Sequence, residues 1–319
     1  MHWLAGVVAL LMAVGAAAEP VEIESSAIPL QARGPDLNDV GALEYRGGVT
    51  LRSGNSRFGG LSGLSVDADG IGFVAITDTG LWLTGRFVHD AEGRLTGITD
   101  TAFEPLRNSG GRALNGKQEA DSEGLTALSG GGYLVSIEGA HRILKYSAPG
   151  APATDLGATL QGLSQARRNG GLEAIEQLAD GRVLALTEDH FVAEGRLAGW
   201  LIDDGQASQV TYPGDGYFKP TGLTVLDDGR TLVLERGYTV AGGAKGRIML
   251  IDPPHGGEPI TVRRELARFQ PPIQVDNFEG LAAHTDDDGS VMLYVVSDDN
   301  FNPLQRTLLM MFKLSGNSE

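Results

Sequence analysis

The chain has 319 residues, of which 41% are hydrophobic and 21% charged, and it contains no cysteine. This is globular composition, and the lack of cysteine excludes disulfides, cysteine nucleophiles and thiolate metal sites. A formal net charge of −16 argues against nucleic acid or anionic lipid as a partner, but it attracts cations.

The first predicted element is an export signal. Residues 1–18 form an apolar run that ends in three alanines, before Glu19, which is typical of a secretory signal peptide. The alternative is a membrane anchor, although the run is slightly shorter than the about 20 apolar residues of a spanning helix. We therefore predict cleavage near Ala18, a periplasmic or extracellular protein, an N-terminal extension over 19–39 and no membrane span in the mature chain.

Five copies of one pattern follow. Each copy reads as a strand that begins near a Gly-Leu pair, a glycine-containing turn and a second strand that is almost wholly apolar. The copies span 59–80, 121–146, 169–189, 220–238 and 277–300. Their turns contain pairs such as Asp69-Gly70, which tolerate the positive φ of hairpin turns.

The spacing of the copies predicts the fold. The leucines of the five pairs lie 61, 47, 51 and 58 residues apart, and further strand-like segments follow most copies. Four antiparallel strands per repeat are typical of a propeller blade. We predict an all-β fold, a β-propeller of five blades with four antiparallel strands each, over residues 40–319, whose ring is closed by an N-terminal strand within 40–51. A sixth blade within the 61-residue interval is the alternative.

Carboxyl groups recur at two positions of the repeat. Directly before Gly-Leu, the second and fifth copies carry Glu123 and Glu279, whereas the other copies carry Ser62, Gly170 and Thr221. At the end of the second strand every copy has an acid: Asp78, Glu138, Glu188, Glu235 and Asp298. The two positions lie at the same end of an antiparallel hairpin. Because the inner strands of a propeller surround one axis, these acids are predicted to converge.

Converging carboxylates repel one another until protons or a cation neutralise them. Ligands that are all oxygen favour a hard cation, and flexible coordination favours Ca²⁺ over Mg²⁺. The predicted metal ligands are Asp78, Glu123, Glu138, Glu188, Glu235, Glu279 and Asp298. The alternative is that these acids cap turns or pair with Arg142, Arg236 and Arg306.

Basic groups near the acids are further candidates. His141 follows Glu138 by three residues and is a candidate general base or ligand, with a surface imidazole as the alternative. Arg142, Arg236 and Arg306 are candidates for binding a phosphate or carboxylate in forked geometry. The candidate catalytic residues are Glu123, Glu138, Glu279 and His141.

The ordered segments DSEGL…SIEGAHRI, GLEAI…GRVLALTED, PTGL…LVLERGY and NFEGL…SDDNFNPLQRTLL resemble the phytase-like family, also described as esterase-like activity of phytase. The resemblance implies a propeller that hydrolyses phosphoesters or other esters. It also implies a functional centre with Glu123, Glu138, Glu279, Asp298, Asp299 and Asn300. Glu173 and the pair Glu235-Arg236 match further features of the family.

Together, these observations predict an exported, metal-dependent hydrolase of small-molecule phosphoesters. One alternative is a lactonase or carboxylesterase with a similar metal centre. The other is a non-catalytic periplasmic binding or scaffold propeller, because fold alone does not define function. The sequence does not indicate a protein partner.

Overall fold

The structure is a computed structural model that describes residues 18–34, 37–167 and 169–315. The predicted signal peptide lies outside the described residues, apart from Ala18. No helix in these three ranges is long and apolar enough to span a membrane.

The described residues are mostly β-strand. In chain order the strands are β1 (Glu19–Pro20), β2 (Glu24–Ala27), β3 (Asp39–Val40), β4 (Leu43–Arg52), β5 (Leu61–Val66), β6 (Gly72–Thr77), β7 (Leu81–His89), β8 (Leu95–Pro105), β9 (Ser122–Ala127), β10 (Tyr133–Ile137), β11 (Arg142–Tyr146), β12 (Thr154–Asp155), β13 (Leu172–Gln177), β14 (Val183–Ala193), β15 (Arg196–Asp203), β16 (Gln206–Pro213), β17 (Lys219–Val225), β18 (Thr231–Thr239), β19 (Gly243–Asp252), β20 (Thr261–Phe269), β21 (Asn277–Thr285), β22 (Val291–Asp298) and β23 (Thr307–Leu314). A single helical turn, α1 (Lys117–Ala120), precedes β9, and a 3₁₀ turn (Leu163–Gln165) precedes β13.

The strands form four-stranded antiparallel groups. Groups 2, 3 and 4 are the separate sheets β9–β12, β13–β16 and β17–β20. Group 1 contains β5–β8, and group 5 contains β21, β22, β23 and β4. A single parallel bridge, between Gly47 and Leu95, joins groups 5 and 1. The N-terminal strand β4 thus completes the C-terminal group, as the sequence predicts, with Leu51 opposite Thr307.

The first strands of the groups surround a common axis. Strands β5, β9, β13, β17 and β21 contact one another in that order, and β21 also contacts β5. Such a closed cycle of sheets is the arrangement of a propeller. The protein is therefore all-β and propeller-like, in agreement with the prediction. Three short N-terminal strands extend the outer strands, since β1 pairs with β8 while β2 and β3 pair with β4.

Small residues allow the first strands to approach each other closely. A Cβ atom added to Gly63 would lie 2.7 Å from the Cβ of Leu125, and one added to Gly124 would lie 2.5 Å from the Cγ2 of Ile175. The glycine of the Gly-Leu pair therefore accommodates a large apolar side chain of the next group. The void between the first strands is about 10 Å³, which is room for about one water molecule. The first strands are consequently packed against one another around the axis.

Aromatic contacts link neighbouring groups farther from the axis. Trp82 of β7 meets Tyr146 of β11 edge to face, with ring centroids 5.1 Å apart. Phe87 of β7 stacks on Tyr294 of β22 at 4.6 Å. Such pairs add to the stability that burial supplies, and they hold group 1 between groups 2 and 5.

Candidate functional site

Every first strand contains a β-bulge near its beginning. In β5, Leu61 pairs with Thr77 and Gly63 pairs with Ile76, so Ser62 is the additional residue. The same shift occurs in β9, β13, β17 and β21. A bulge re-aims the side chain of the additional residue. In the other first strands, the residues within the bulges include Glu123, Glu173, Thr221 and Glu279.

The third copy has a different register from the one expected. Its bulge precedes Ala174 and Ile175, which take the places of Gly63 and Leu64 in β5. The prediction that Gly170 occupies the acid position of this copy is therefore wrong, because that position holds Glu173. The Gly-Leu pair of this copy, Gly171-Leu172, lies three residues before Ala174-Ile175, so it does not mark the same position as in the other copies.

The second recurring position lies on the second strand of each copy. It directly follows the residue that pairs with the last first-strand residue before the bulge. The residues of that pair on the second strands are Thr77, Ile137, Thr187, Glu235 and Ser297. The residues that follow them are Asp78, Glu138, Glu188, Arg236 and Asp298. The first, second, third and fifth copies therefore have an acid at this position, whereas the fourth copy has an arginine.

Glu235 lies on the opposite face of its strand, because successive side chains of a strand alternate. Its carboxylate accepts a hydrogen bond from the Tyr212 hydroxyl at 2.7 Å and forms an ion pair with Arg247. The side chain is buried. The structure thus separates Glu235, which was expected among the metal ligands, from the other acids, and provides it with one partner in group 3, Tyr212, and one in group 4, Arg247.

The other predicted acids line one cavity of about 210 Å³. Seven carboxyl side chains contribute to its wall: Asp78, Glu123, Glu138, Glu173, Glu188, Glu279 and Asp298. Among the residues that the structure describes, the wall also contains the charged residues Lys117 and Arg236 and the amides of Asn169, Asn277 and Asn300. The strand groups thereby bring together acids that are far apart in sequence. We call this the acidic cavity.

Arg236 pairs with acids from two other groups. Its Nη2 lies 2.8 Å from Oε1 of Glu188, and its Nε lies 2.8 Å from Oε1 of Glu279. Lys219 contributes a weaker contact, with Nζ at 3.7 Å from Oε1 of Glu188. Asn277 donates a hydrogen bond from Nδ2 to Oε1 of Glu279 at 2.7 Å. These contacts partly neutralise Glu188 and Glu279.

Two sets of three carboxyl groups have the spacing needed to share a cation. One oxygen from each of Asp121, Glu123 and Glu138 lies within 4.8 Å of the others, and the same holds for Glu138, Glu173 and Glu188. In addition, Oε2 of Glu279 is buried without a hydrogen-bond partner among the described residues. Clustered carboxylate oxygens are the donors that hard divalent cations prefer. The residues present therefore fit such an ion.

Burial raises the pKa of several acids in the cavity. It raises the pKa of Glu279 to about 8, against the lowering effect of Arg236. It raises the pKa of Asp298 to about 7 and that of Asp78 to about 6. The pKa values of Glu123 and Glu173 also lie well above the ordinary range, because of burial first and neighbouring acids second. Without a cation, several of these groups retain protons near neutral pH.

The remaining predicted residues lie beside the cavity. His141 has a left-handed backbone with φ of 51°, and a Cβ added to Gly171 would lie 3.0 Å from its Nδ1. Burial, followed by the nearby His190, lowers the pKa of His141. Neither His141 nor Arg142 is part of the cavity wall.

Arg306 is engaged within group 5 and the segment before it. Its Nε lies 3.2 Å from Oδ2 of Asp276, and its Nη1 donates to Oε1 of Gln274 at 2.8 Å. Of the three arginines predicted to bind substrate, the structure therefore brings only Arg236 to the acidic cavity.

Sequence patterns did not reveal Asp121 and Lys117 as parts of the site. Asp121 is buried, and its carboxylate lies 3.5 Å from Nζ of Lys117. The corresponding residues of the other copies include Gly60, Gly171 and Lys219, as the strand registers show. Because the chemistry of this position changes from copy to copy, the repeat carries no signal for it.

A family profile matches residues 56–301, a range that covers more than half of the chain and includes the whole wall of the acidic cavity. This chain belongs to the phytase-like family. The family is described as having an esterase-like activity of phytase. The resemblance predicted from the sequence is confirmed.

No curated protein matches this phytase-like protein. Among solved structures, it is similar to a gluconolactonase from Xanthomonas campestris, with 12% identity, a TM-score of 0.45 and coverage of 93% of this chain and 89% of that chain. It is also similar to the PQQ-bound form of an aldose sugar dehydrogenase from Streptomyces coelicolor, with 11% identity, a TM-score of 0.43 and coverage of 93% and 99%. Virginiamycin B lyase from Staphylococcus aureus shares 13% identity at a TM-score of 0.39, with coverage of 86% and 85%. Similarities this distant assign neither an activity nor a blade number to the phytase-like protein.

Proposed function

We propose that this phytase-like protein is an exported hydrolase that binds a divalent cation, with Ca²⁺ favoured, and cleaves small-molecule phosphoesters. The observation that carries the proposal is the acidic cavity, where seven carboxyl groups and two basic groups of the described residues share about 210 Å³. Buried carboxylates at this density destabilise a fold unless protons or a cation neutralise them. Family membership supports ester hydrolysis.

The proposed ligands are the acids that lie closest together. Glu123, Glu138, Glu173 and Glu188, with Asp121, supply the two sets of neighbouring oxygens. A divalent cation bound there would polarise an ester oxygen and lower the pKa of a water molecule.

Other side chains of the cavity are proposed to handle protons and substrate charge. Glu279 and Asp298 have pKa values of about 8 and about 7, which is the range in which a carboxyl group serves as general acid or base at neutral pH. Arg236 is held in place by Glu188 and Glu279 and is positioned to bind an anionic substrate oxygen in forked geometry. Arg306 lies outside the cavity wall, where Asp276 and Gln274 hold it.

Two structural details belong to the same proposal. We infer that the five strand groups are five blades of one domain over residues 40–319, which the closed cycle of contacts between first strands supports. Export is inferred from the apolar run over residues 1–18.

The proposal is tested on protein that begins at Glu19, purified in chelator and reloaded with Ca²⁺, Mg²⁺, Mn²⁺ or Zn²⁺. Elemental analysis measures the bound metal. p-Nitrophenyl phosphate, bis-p-nitrophenyl phosphate, p-nitrophenyl acetate and a simple lactone measure the reaction. We expect metal-dependent phosphate release. Cleavage of only the acetate or the lactone would instead indicate a carboxylesterase or lactonase. No bound ion, no cleavage and an unchanged melting temperature on chelation would indicate a binding or scaffold protein.

A matched pair of variants links the activity to the cavity. Glu173→Gln removes one proposed ligand, and we expect metal affinity and activity to fall at least about tenfold. Glu176→Gln is the control, because Glu176 lies on the same strand, outside the cavity wall, and accepts a hydrogen bond from the Thr126 hydroxyl at 2.6 Å. Equal metal binding and activity in the two variants would contradict the assignment.

A further inference from the structure

A second depression adjoins the acidic cavity between groups 4 and 5. We call it the amide groove. It has a volume of about 670 Å³, which is within the range of roughly 300 to 1,000 Å³ that is common for small-molecule sites. Arg236, Asn277 and Asn300 line both the groove and the cavity. A ligand that fills the groove therefore extends to the acids.

The charged groups of the groove wall are already paired. Among the residues that line it, these are Arg236 and Asp276. Arg236 contacts Glu188 and Glu279. Asp276 accepts hydrogen bonds at 3.2 Å from both the backbone nitrogen and the Nε of Arg306. A ligand with many phosphates needs several basic partners, whereas the described residues of the groove wall include one basic group, Arg236.

Amides and exposed apolar surface make up much of the remaining wall. Asn300, Asn302 and Gln305 present side-chain amides, which both donate and accept hydrogen bonds. Tyr238 is 65% exposed and Leu304 is 90% exposed, so their apolar surfaces are available to a ligand. A hydroxylated ring has C–H groups on its faces and hydroxyl groups at its edge. An aromatic surface next to amides is complementary to both.

Two residues of the groove wall donate hydrogen bonds to acids of the cavity. The backbone nitrogen of Asn300 donates to Oδ1 of Asp298 at 2.6 Å, and Asn300 has a left-handed φ of 49°. On the other side, Asn277 donates to Glu279. Tyr238 lies on β18, opposite Ala244 of β19. The wall is thus built from strands and from a loop whose shape depends on a cavity acid.

We propose that the amide groove binds an uncharged, hydroxyl-bearing ring, so that the substrate is a sugar-like body with a single ester group directed to the acidic cavity. The cleavage of that ester depends on the proposed function, but the binding of the ring does not. The groove is therefore a specificity site that favours a monoester of a polyol ring over a polyphosphate.

Ring binding is tested without any reaction. Saturation-transfer NMR is recorded with methyl α-D-glucopyranoside and the metal-free protein that begins at Glu19. We expect transfer to the ring protons, and a dissociation constant that rises about fivefold or more in Tyr238→Ala and Gln305→Ala. Val240→Ala is the control, because Val240 is 93% exposed, close to Tyr238 and outside the groove wall. It should bind like the unaltered protein.

Kinetics on the metal-loaded protein provide the second measurement. kcat/KM for glucose 6-phosphate should exceed that for methyl phosphate, and Tyr238→Ala should lower only the former. Absence of transfer to the glucoside, equal binding by Tyr238→Ala, or tighter binding of myo-inositol hexakisphosphate than of the glucoside would overturn the inference. If the glucoside binds as expected but no ester is cleaved, the proposed function fails and this inference stands. If both phosphates are cleaved equally and the glucoside does not bind, this inference fails and the proposed function stands.

Discussion

The Nε atom of Arg236 lies 2.8 Å from Oε1 of Glu279, although the two residues belong to different strand groups. Arg236 occupies the position at which the other four copies carry Asp78, Glu138, Glu188 and Asp298. The guanidinium group of Arg236 thus lies among the acids of the cavity wall. It pairs with Glu188 and Glu279, so these two acids depend on Arg236 for neutralisation.

Replacing Arg236 by methionine should destabilise the metal-free protein at pH 8. The change leaves Glu188 and Glu279 without their guanidinium partner, and breaking a buried ion pair in this way costs about 3 to 5 kcal/mol. The measurement is the free energy of unfolding in urea with chelator present. Arg263→Met is the control, because Arg263 pairs with Asp252 at the surface, where such pairs contribute about 0 to 1 kcal/mol. Equal stability of the two variants would contradict the role given to Arg236.

The two acids Glu188 and Glu235 should respond differently to replacement by glutamine. Glu188 lines the acidic cavity, so Glu188→Gln should weaken Ca²⁺ binding at least about tenfold. Glu235 is held by Tyr212 and Arg247, so Glu235→Gln should lower the melting temperature and leave Ca²⁺ affinity unchanged. Calorimetric titration and thermal unfolding distinguish the two effects. A comparable loss of Ca²⁺ affinity in Glu235→Gln would show that the register at β18 is not the one described.

The stability of the metal-free protein should fall as the pH rises from 5 to 8. The pKa of Asp78 is raised to about 6, that of Asp298 to about 7 and that of Glu279 to about 8, whereas unfolded carboxyl groups titrate near about 4. Between these values the unfolded state binds fewer protons than the folded state, so the free energy of unfolding decreases with pH.

The check is the melting temperature in chelator at pH 5, 6, 7 and 8. The double variant Glu279→Gln, Asp298→Asn should show a weaker pH dependence, because two of the titrating groups are removed. Added Ca²⁺ should stabilise the protein most at pH 8, where it competes with the fewest protons. A melting temperature in chelator that rises from pH 5 to pH 8 would refute the assignment of raised pKa values.

Packing of the first strands gives a prediction about the fold itself. An added Cβ on Gly124 would lie 2.5 Å from Ile175 Cγ2 and 2.7 Å from the carbonyl oxygen of Glu173. Gly124→Ala should therefore destabilise the protein by about 1 to 3 kcal/mol through overpacking, and it should weaken metal binding by displacing Glu173. Gly54→Ala is the control, since an added Cβ there meets no atom within 4 Å. Denaturant unfolding and Ca²⁺ titration of both variants measure the two effects, and an undisturbed Gly124→Ala would contradict the described packing.

The repeated hairpins, the all-β class and the convergence of most of the acids follow from the amino-acid sequence alone. These features depend on local rules: alternating or continuous apolar strands, turns that need positive φ, and antiparallel hairpins that bring their two ends together. The pairing of residues 40–51 with the last strand followed from the same rules, because the final repeat lacked a strand.

The side chain that faces the axis in each copy depends on the strand registers of the folded protein. A bulge adds one residue to a strand, and a register change of one residue moves a side chain to the other face. For this reason Arg236 lines the cavity and Glu235 does not, and Glu173 takes the place assigned to Gly170. The additional residue of a bulge contacts another copy: the Thr221 hydroxyl donates to the carbonyl oxygen of Phe278 at 2.9 Å, and the Ser62 hydroxyl donates to that of Ser122 at 2.6 Å. These partners lie far away in the chain, so the order of residues within one copy does not specify the contacts.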